Sequence, residues 1–410
     1  MINDNETLLA IDIGTTKVCA IAAVRNERNV IQVLGMGIHP CAGLSAGGIQ
    51  DMEEIVSAVS NACHKALNEA PDIGIPRAVV GISGTFIQSH NTTGSVVLSR
   101  HGRAVTSMDV DQCIDAAIRK SVPRDYDVLH AIPRWFRLDD SSYIRDPVGM
   151  EGSVLEVEAH LLIGRQNILK NIRRCVNKAG FSVEEIACQP IVSSEAVLTE
   201  EEKDTGIALV EIGGETTSIV VYYEGSIYHS EILGIGGVDI TRDINHYFQT
   251  PIENAENLKK YSGSTLLESI DPEETIEVVR FKNRRTIVAK KLLLCEIIEA
   301  RVEHILEEVL RSLRTRDLLG CLFGGIVLSG GSSLLEGIRE KTQSMMHRDT
   351  HIGYPNGVVG LEEIITSPSY ANAIGLLHYG FERRDLYQEF YGTGIKRMIR
   401  KLLRWAQEAF

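Results

Sequence analysis

Two short turns carry residue types suited to holding phosphate. The first is Asp12, Gly14, Thr15, Thr16 and Lys17 in LLAIDIGTTKVCAIAAV (8–24). The second is Gly213, Gly214, Thr216 and Thr217 in IALVEIGGETTSIVVYY (207–223). Each turn offers backbone N–H groups, hydroxyls and small side chains in a tight bend, the donor set that cradles phosphate oxygens. One such turn would be weak evidence, because most glycine turns merely join strands. Here the two lie in copies of one pattern: an apolar β-branched strand, a Gly/Thr turn and a second strand. A third stretch, GIVLSGGSSLLEGI (325–338), reads as a strand, a Gly330–Gly331 turn and a helix start with Ser332 and Ser333 as candidate caps. Its glycine pair lets a flat base or a ribose approach the backbone.

The elements around these turns repeat as well. Each hairpin is followed by a further strand rich in glycine at its end, VIQVLGMGI (30–38) and SIYHSEILGIGG (226–237), and then by a helical stretch. Two related α/β lobes with a cleft between them are the economical interpretation, and 410 residues suffice for two lobes or more. The first lobe is interrupted between about Thr85 and Leu162 by strands at 94–99 and 154–163 and a helix near Met108–Lys120. The second is interrupted at roughly 246–288, where VVRFKNRR places Arg280, Lys282, Arg284 and Arg285 close together.

Composition excludes several classes. The net charge is −13, so the body lacks the basic footprint of a general nucleic-acid binder. No apolar run approaches about eighteen residues, so no spanning helix is expected, and the acidic start MINDNETLLAIDIG lacks the basic end and apolar core of a signal peptide. A cytoplasmic chain is expected. The eight cysteines show no CxxC spacing and read as reduced core residues, and the nearest histidine pair, His347 and His351, lacks the company of a metal site.

The three phosphate and nucleoside stretches together resemble the actin, hexokinase and heat-shock chaperone ATPase superfamily. Within it the chain is similar, over essentially its full length, to the FtsA family of bacterial cell-division proteins. Further matching stretches are Gly81-Ile82-Ser83-Gly84, VLHAIP (128–133), SSEAVLTEEEKDTG (193–206), AENLKKYSG (255–263) and AIGLLHYG (373–380).

The resemblance implies an α/β actin-like fold. A first lobe would comprise 1–84, 164–205 and 356–384, with an inserted subdomain at 85–163. A second lobe would comprise 206–245 and 289–355, with an FtsZ-binding subdomain at 246–288, then a linker at 385–394 and a membrane helix at 395–410. It implies ATP and Mg²⁺, with Asp12 and Glu211 as the metal-facing carboxylates and Thr15, Thr16 and Lys17 around the phosphate tail. Gly213, Gly214, Thr216 and Thr217 would hold phosphates from the opposite lobe, with Gly236 and Gly237 at the next cleft turn. Glu256 and Lys259 would contact the ribose, although unaided they read as a solvated helix pair. Gly330, Gly331 and Ser332 would contact the adenosine. The partners implied are the FtsZ tail at Arg280, Lys282, Arg284 and Arg285, further copies of the chain in a filament, later division proteins and the cytoplasmic membrane at the division septum.

The second loop departs from the family's usual DIGGGTTD, reading EIGGETTS with Glu211, Glu215 and Ser218 at the altered positions. Glu211 keeps the charge but moves the carboxylate by about 1 Å or more, a misplacement on the scale that can cost about a hundredfold in rate. Glu215 adds an acid beside a polyphosphate, so its charge must be relieved by a cation or turned away. Gln189 stands where many relatives have glutamate. ATP is therefore expected to be bound and turned over slowly or not at all.

The last sixteen residues form a different kind of element. Ile395, Met398, Ile399, Leu402, Leu403 and Phe410 fall at helical spacing on one face. Lys396, Arg397, Arg400, Lys401 and Arg404 take the other, with Trp405 at the border. Five cations and one acid make this segment +4 on a body of −17. At ~1.5 Å per residue it is about 24 Å long and suits the membrane interface, with core packing and partner-helix docking as the alternatives. A small-molecule kinase or a pilus or secretion assembly adaptor remain as rival functions on the same fold. The membrane reading is checked by co-sedimentation with anionic vesicles: the full chain should pellet, and a chain ending at residue 394 should stay in the supernatant. Equal pelleting of both would remove the assignment.

Overall fold

The computed structural model describes residues 7–99, 102–141, 143–281, 285–361 and 366–391, with backbone only at 386–391. Two sheets repeat one plan. In the first, strand Thr7–Ile13 pairs antiparallel with Lys17–Arg25 and parallel with Ala78–Ile82, in the order Val183–Cys188, Ala78–Ile82, Thr7–Ile13, Lys17–Arg25, Ile31–Pro40, Val358–Val359. In the second, Ile207–Ile212 pairs antiparallel with Thr217–Tyr223 and parallel with Gly325–Ser329, flanked by Ser226–Leu233 and Thr350–Ile352. Asp12 faces Cys19 across its hairpin and Glu211 faces Ser218 across the other, so the two carboxylates occupy equivalent places one residue before the strand ends. The turns close alike, with Gly14 N–H donating to Lys17 O at 3.0 Å and Gly213 N–H to Thr216 O at 2.8 Å. The two duplicated lobes expected from the sequence are present.

Alternation distributes the second sheet between two cores. Ala208, Val210, Ile212, Ile219 and Val221 pack with helices Gly237–Phe248 and Lys291–Thr315. Ile207, Leu209, Val220 and Tyr222 join the core of the first lobe instead. The lobes thus share apolar packing beneath the cleft, which follows from strands buried on both faces. Helix Ala371–Tyr391 lies on the first sheet and meets helix Gln189–Val197 with almost no separation: a Cβ added at Gly375 would stand 1.9 Å from Val192 O. Arg25 pairs with Asp385, and Arg384 bonds Glu184 and the Thr7 carbonyl, fixing the helix to one end of the first sheet.

The inserted unit is a three-stranded antiparallel sheet, Ile87–Val97, Val154–Arg165 and Tyr126–Leu138, backed by helix Ser107–Ser121 over its own small core of residues such as Val110, Cys113, Phe136 and Leu155. Its first strand is longer than the expected 94–99, because the polar half from Ile87 docks on the second lobe. Asn91 Nδ2 donates to Tyr228 O at 3.2 Å, and the His160 ring bridges Asn91 Oδ1 and Ser230 Oγ at 2.6 and 2.8 Å. Burial, aided by neighbouring His229 and Arg134, pushes His160 down to about 3, so it docks as a neutral ring. A second correction concerns 331–334. These residues form a 3-10 turn, and the α-helix begins only at Ile338 after Gly337, so Ser332 and Ser333 cap no helix. All eight cysteines are free thiols, seven of them buried.

Gly375→Ala should destabilise the chain by roughly 1–3 kcal/mol through overpacking against Val192. The same change on an open helix face would stabilise by about 1 kcal/mol. A lowered unfolding midpoint is expected, and an unchanged or raised one would contradict the packing argument.

Candidate functional site

The ends of the two first strands meet at the seam between the lobes. Asp12 is only 5% exposed and Glu211 8%. Gln189 Nε2 donates to Asp12 Oδ1 and, at 3.2 Å, to the Ile13 carbonyl. Glu211 reaches back into the first lobe: Ser193 Oγ donates to Oε2 at 2.9 Å and Asn372 Nδ2 to Oε1 at 2.6 Å. Burial, reinforced by the charge of Glu211, drives Asp12 up to about 7, with Lys17 and the Gln189 hydrogen bond opposing. Burial raises Glu211 as well, against its bonds from Ser193 and Asn372.

Around this pair the turns interlock. Glu215 N–H donates to Thr15 Oγ1 at 3.0 Å, and a Cβ on Gly214 would stand 2.6 Å from Thr16 Cγ2. Gly237 N–H and Val238 N–H, at the start of helix Gly237–Phe248, donate to Gly213 O at 2.9 Å and Gly214 O at 2.7 Å. Gly236 must be small because a Cβ there would lie 2.5 Å from Gly214 O. Thr216 is buried, and buried Thr217 donates to Ile235 O at 2.8 Å. Ser332 Oγ reaches Gly213 O at 3.3 Å, and Gly330 has a φ of 82°, which favours glycine. Gly331 sits beside Ser369, and Lys17 Nζ lies 4.6 Å above the Tyr370 ring.

Glu256 and Lys259 are not a solvated pair. Lys259 is 9% exposed, and its Nζ bonds Gly237 O and Thr241 Oγ1, both at 2.9 Å, and Glu256 at 2.7 Å. Burial lowers Lys259; burial also opposes ionisation of Glu256, but the Lys259 charge together with hydrogen bonds from Lys259, Thr241 and Lys260 outweighs it and holds that carboxyl below its usual range. The structure therefore brings all the residues expected to hold nucleotide to one seam. It adds Ser193, Tyr370, Asn372 and Arg242, whose partners lie far off in sequence and leave no local pattern. Arg242 pairs with Glu215, which also accepts from Ala46 N–H at 3.2 Å.

The residues present fit a hard cation and phosphates. Among the described residues no three acidic, histidine or cysteine side chains form a cage. Two carboxylates beside hydroxyls and amides suit Mg²⁺, which usually takes one or two carboxylates and completes its shell with phosphate and water. Asn372 Oδ1 is buried with no hydrogen-bond partner in the protein, an acceptor left over at the same place.

Two further surfaces stand apart. Arg280 and Arg285 pair through their backbones at the end of hairpin Thr275–Val279 and Thr286–Lys290, while Lys282 and Arg284 lie outside the described residues. Beside helices Gly237–Phe248 and Lys291–Thr315 runs an open groove of about 590 Å³ that includes His246, Tyr247, Ile297 and Ala300, with Arg301 bonded to Asp243 at 2.5 and 3.0 Å. The expected membrane helix, from Ile395 to Phe410, also lies outside the described residues. No helix among the described residues is long and apolar enough to cross a membrane.

A family model described as "Cell division protein FtsA" matches residues 208–375, and one described as "SHS2 domain inserted in FTSA" matches 84–163. The chain is 31% identical over 417 aligned residues to the cell division protein FtsA of Pseudomonas aeruginosa, covering 100% of this chain and 99% of the relative. It is 33% identical over 380 residues to that of Bacillus subtilis, covering 92% and 84%. Among solved structures it superposes on a PilM–PilN type IV pilus biogenesis complex with a TM-score of 0.67 at 16% identity, covering 92% of this chain and 98% of that one. MreB5 of Spiroplasma citri bound to ADP gives 0.52 at 14%, covering 92% and 96%. At such identities these structures carry the fold alone.

A buried carboxyl with a raised pKa binds its proton more tightly folded than unfolded. Asp12 therefore lowers stability progressively as pH rises from about 4 to about 7, and the penalty is complete above that. Asp12→Asn should raise the stability of nucleotide-free protein at pH 8, on the order of 1–3 kcal/mol, and change it little at pH 4. Equal effects of the substitution at both pH values would contradict this assignment.

Proposed function

This chain belongs to the FtsA family, and from that premise we propose that it holds ATP and Mg²⁺ in the seam and tethers FtsZ to the cytoplasmic membrane. It is an actin-like cell division protein. The observation that carries the nucleotide reading is the buried pair Asp12 and Glu211, two carboxylates in one desolvated seam flanked by phosphate-type turns. Bound Mg²⁺ would neutralise that pair and screen the phosphate oxygens. Thr15, Thr16 and Lys17 would take phosphate from one lobe and Gly213, Gly214, Thr216 and Thr217 from the other. Lys259 and Glu256 would face the ribose, and Gly330, Gly331 and Ser332 the adenosine.

The same residues argue for slow turnover. Gln189 offers Asp12 an amide and cannot take a proton from water as a carboxylate could. Both oxygens of Glu211 already accept hydrogen bonds from the first lobe. Nucleotide would then act by favouring the closed arrangement of the lobes, a population shift that can be read by neighbouring copies in a filament.

The tail supplies the membrane end. Each cation near an anionic surface contributes about 1 kcal/mol, so a single helix binds reversibly, and a filament carrying many gains avidity. The FtsZ tail would meet Arg280, Lys282, Arg284 and Arg285, with the groove by Arg301 as an adjoining surface for its apolar side chains. Arg–carboxylate bonds and steering would favour an acidic peptide there.

Purified full chain should bind ATP yet hydrolyse it well below about 1 per second, the low end of ordinary enzyme turnover. Release of phosphate at tens per second would overturn the reading. In a titration with an FtsZ tail peptide, Arg285→Glu together with Arg301→Gln should weaken affinity by about tenfold or more. Unchanged affinity would remove both surfaces from the interface.

A further inference from the structure

We propose that Glu215 is a clasp that holds the two lobes closed before any nucleotide binds. The position is one at which the family's usual DIGGGTTD has glycine, and an acid there is costly unless something uses it. The structure shows what does. Glu215 Oε2 accepts from Ala46 N–H of the first lobe at 3.2 Å, and Oε1 accepts from Arg242 Nη2 of the second at 2.5 Å. The carboxylate is 18% exposed; its bond from Ala46 is partly buried, and its bond from Arg242 lies at the surface.

Each end of the clasp is anchored. Ala46 lies between the two short strands Leu44–Ser45 and Gly48–Ile49, and its carbonyl accepts from Thr85 N–H at 2.7 Å and Thr85 Oγ1 at 3.1 Å. Arg242 also reaches Asp239 at 3.2 Å, and Asp239 in turn accepts from Gly236 N–H at 2.9 Å, fixing the start of helix Gly237–Phe248. A continuous series of bonds thus runs from Thr85 through Ala46, Glu215, Arg242 and Asp239 to Gly236. The main chain of the same residue makes a second crossing, Glu215 N–H to Thr15 Oγ1. Arg242 has a further role: its charge balances the acid, so that a polyphosphate nearby is not repelled by an uncompensated carboxylate. The clasp replaces part of the bridging that phosphates would otherwise supply, and closure no longer waits for them.

The consequence is that nucleotide locks an arrangement already favoured, and loss of the carboxylate transfers the whole task to the ligand. The ATP comparison below rests on the seam being the nucleotide cleft; the nucleotide-free comparison does not. Amide hydrogen exchange is followed by mass spectrometry on the full chain, in peptides covering 42–50 and 213–217, without nucleotide and with ATP and Mg²⁺. The native chain should exchange slowly there in both conditions. In Glu215→Gly these peptides should exchange faster without nucleotide by roughly tenfold or more, the factor associated with a hydrogen bond to a charged group, and slow again with ATP and Mg²⁺. Glu215→Gln, which keeps the volume and one acceptor, should fall between them. The core strand Thr7–Ile13 serves as the control for intact folding; should Glu215→Gly lose protection there too, Glu215→Gln carries the test. Native-like protection in both variants without nucleotide, or rapid exchange of the native chain without nucleotide, overturns the clasp. Failure of ATP and Mg²⁺ to restore protection in an otherwise faster Glu215→Gly leaves the clasp standing and counts against the nucleotide cleft.

Discussion

Two carboxylates buried in one seam set the terms for this molecule. Asp12 and Glu211 stand at equivalent strand ends of two copies of one hairpin, and desolvation opposes the ionisation of both. Their compensation combines a neighbour, Lys17 at Asp12, with other parts of the chain, Gln189 at Asp12 and Ser193 and Asn372 at Glu211. Since a buried unpaired charge costs several kcal/mol, these contacts determine where helices Gln189–Val197 and Ala371–Tyr391 can sit. That the second of these packs at van der Waals limits through Gly375 follows from the need to bring Asn372 to the seam while covering the first sheet. The seam is therefore both the chemical centre and the joint between the lobes.

Much of this was legible in the sequence. Strands buried on both faces give β-branched runs, and their hairpins need small turn residues, so the duplication appeared as two similar strings around Gly14 and Gly213. The inserted helix, expected near Met108–Lys120, runs from Ser107 to Ser121. The polar half of strand Ile87–Val97 was not legible, because Ser89 and Asn91 are there to bond the edge strand Ser226–Leu233, a contact without local signature. Ser332 and Ser333 looked like helix caps; instead they serve a 3-10 turn against Gly213, a residue more than a hundred positions away. Asn372 and Arg242 were silent for the same reason. A single amide or guanidinium acquires its role from what folding brings to it.

The altered residues of the second loop acquire a common sense in this setting. Glu211 and Glu215 each extend from the second lobe to groups of the first, one at the floor of the seam and one at its mouth. Side-chain length that is detrimental to fast phosphoryl chemistry is suited to joining lobes. Under the proposed function, a filament on a membrane would gain from a closed form that persists, and weak single-helix binding would become firm attachment through repetition. The relationship to cell division proteins gives the family, and the geometry of the seam supports the proposal that binding is the event and turnover secondary.

In the proposed function the paired carboxylates Asp12 and Glu211 serve a divalent cation together with phosphate. Calorimetric titration of ATP into the full chain, with Mg²⁺ varied from none to millimolar and pH from 6 to 8, tests it directly. Affinity should rise steeply with Mg²⁺ and increase as pH passes about 7, where Asp12 gives up its proton. An affinity for ATP that is indifferent to Mg²⁺ across this range would contradict it.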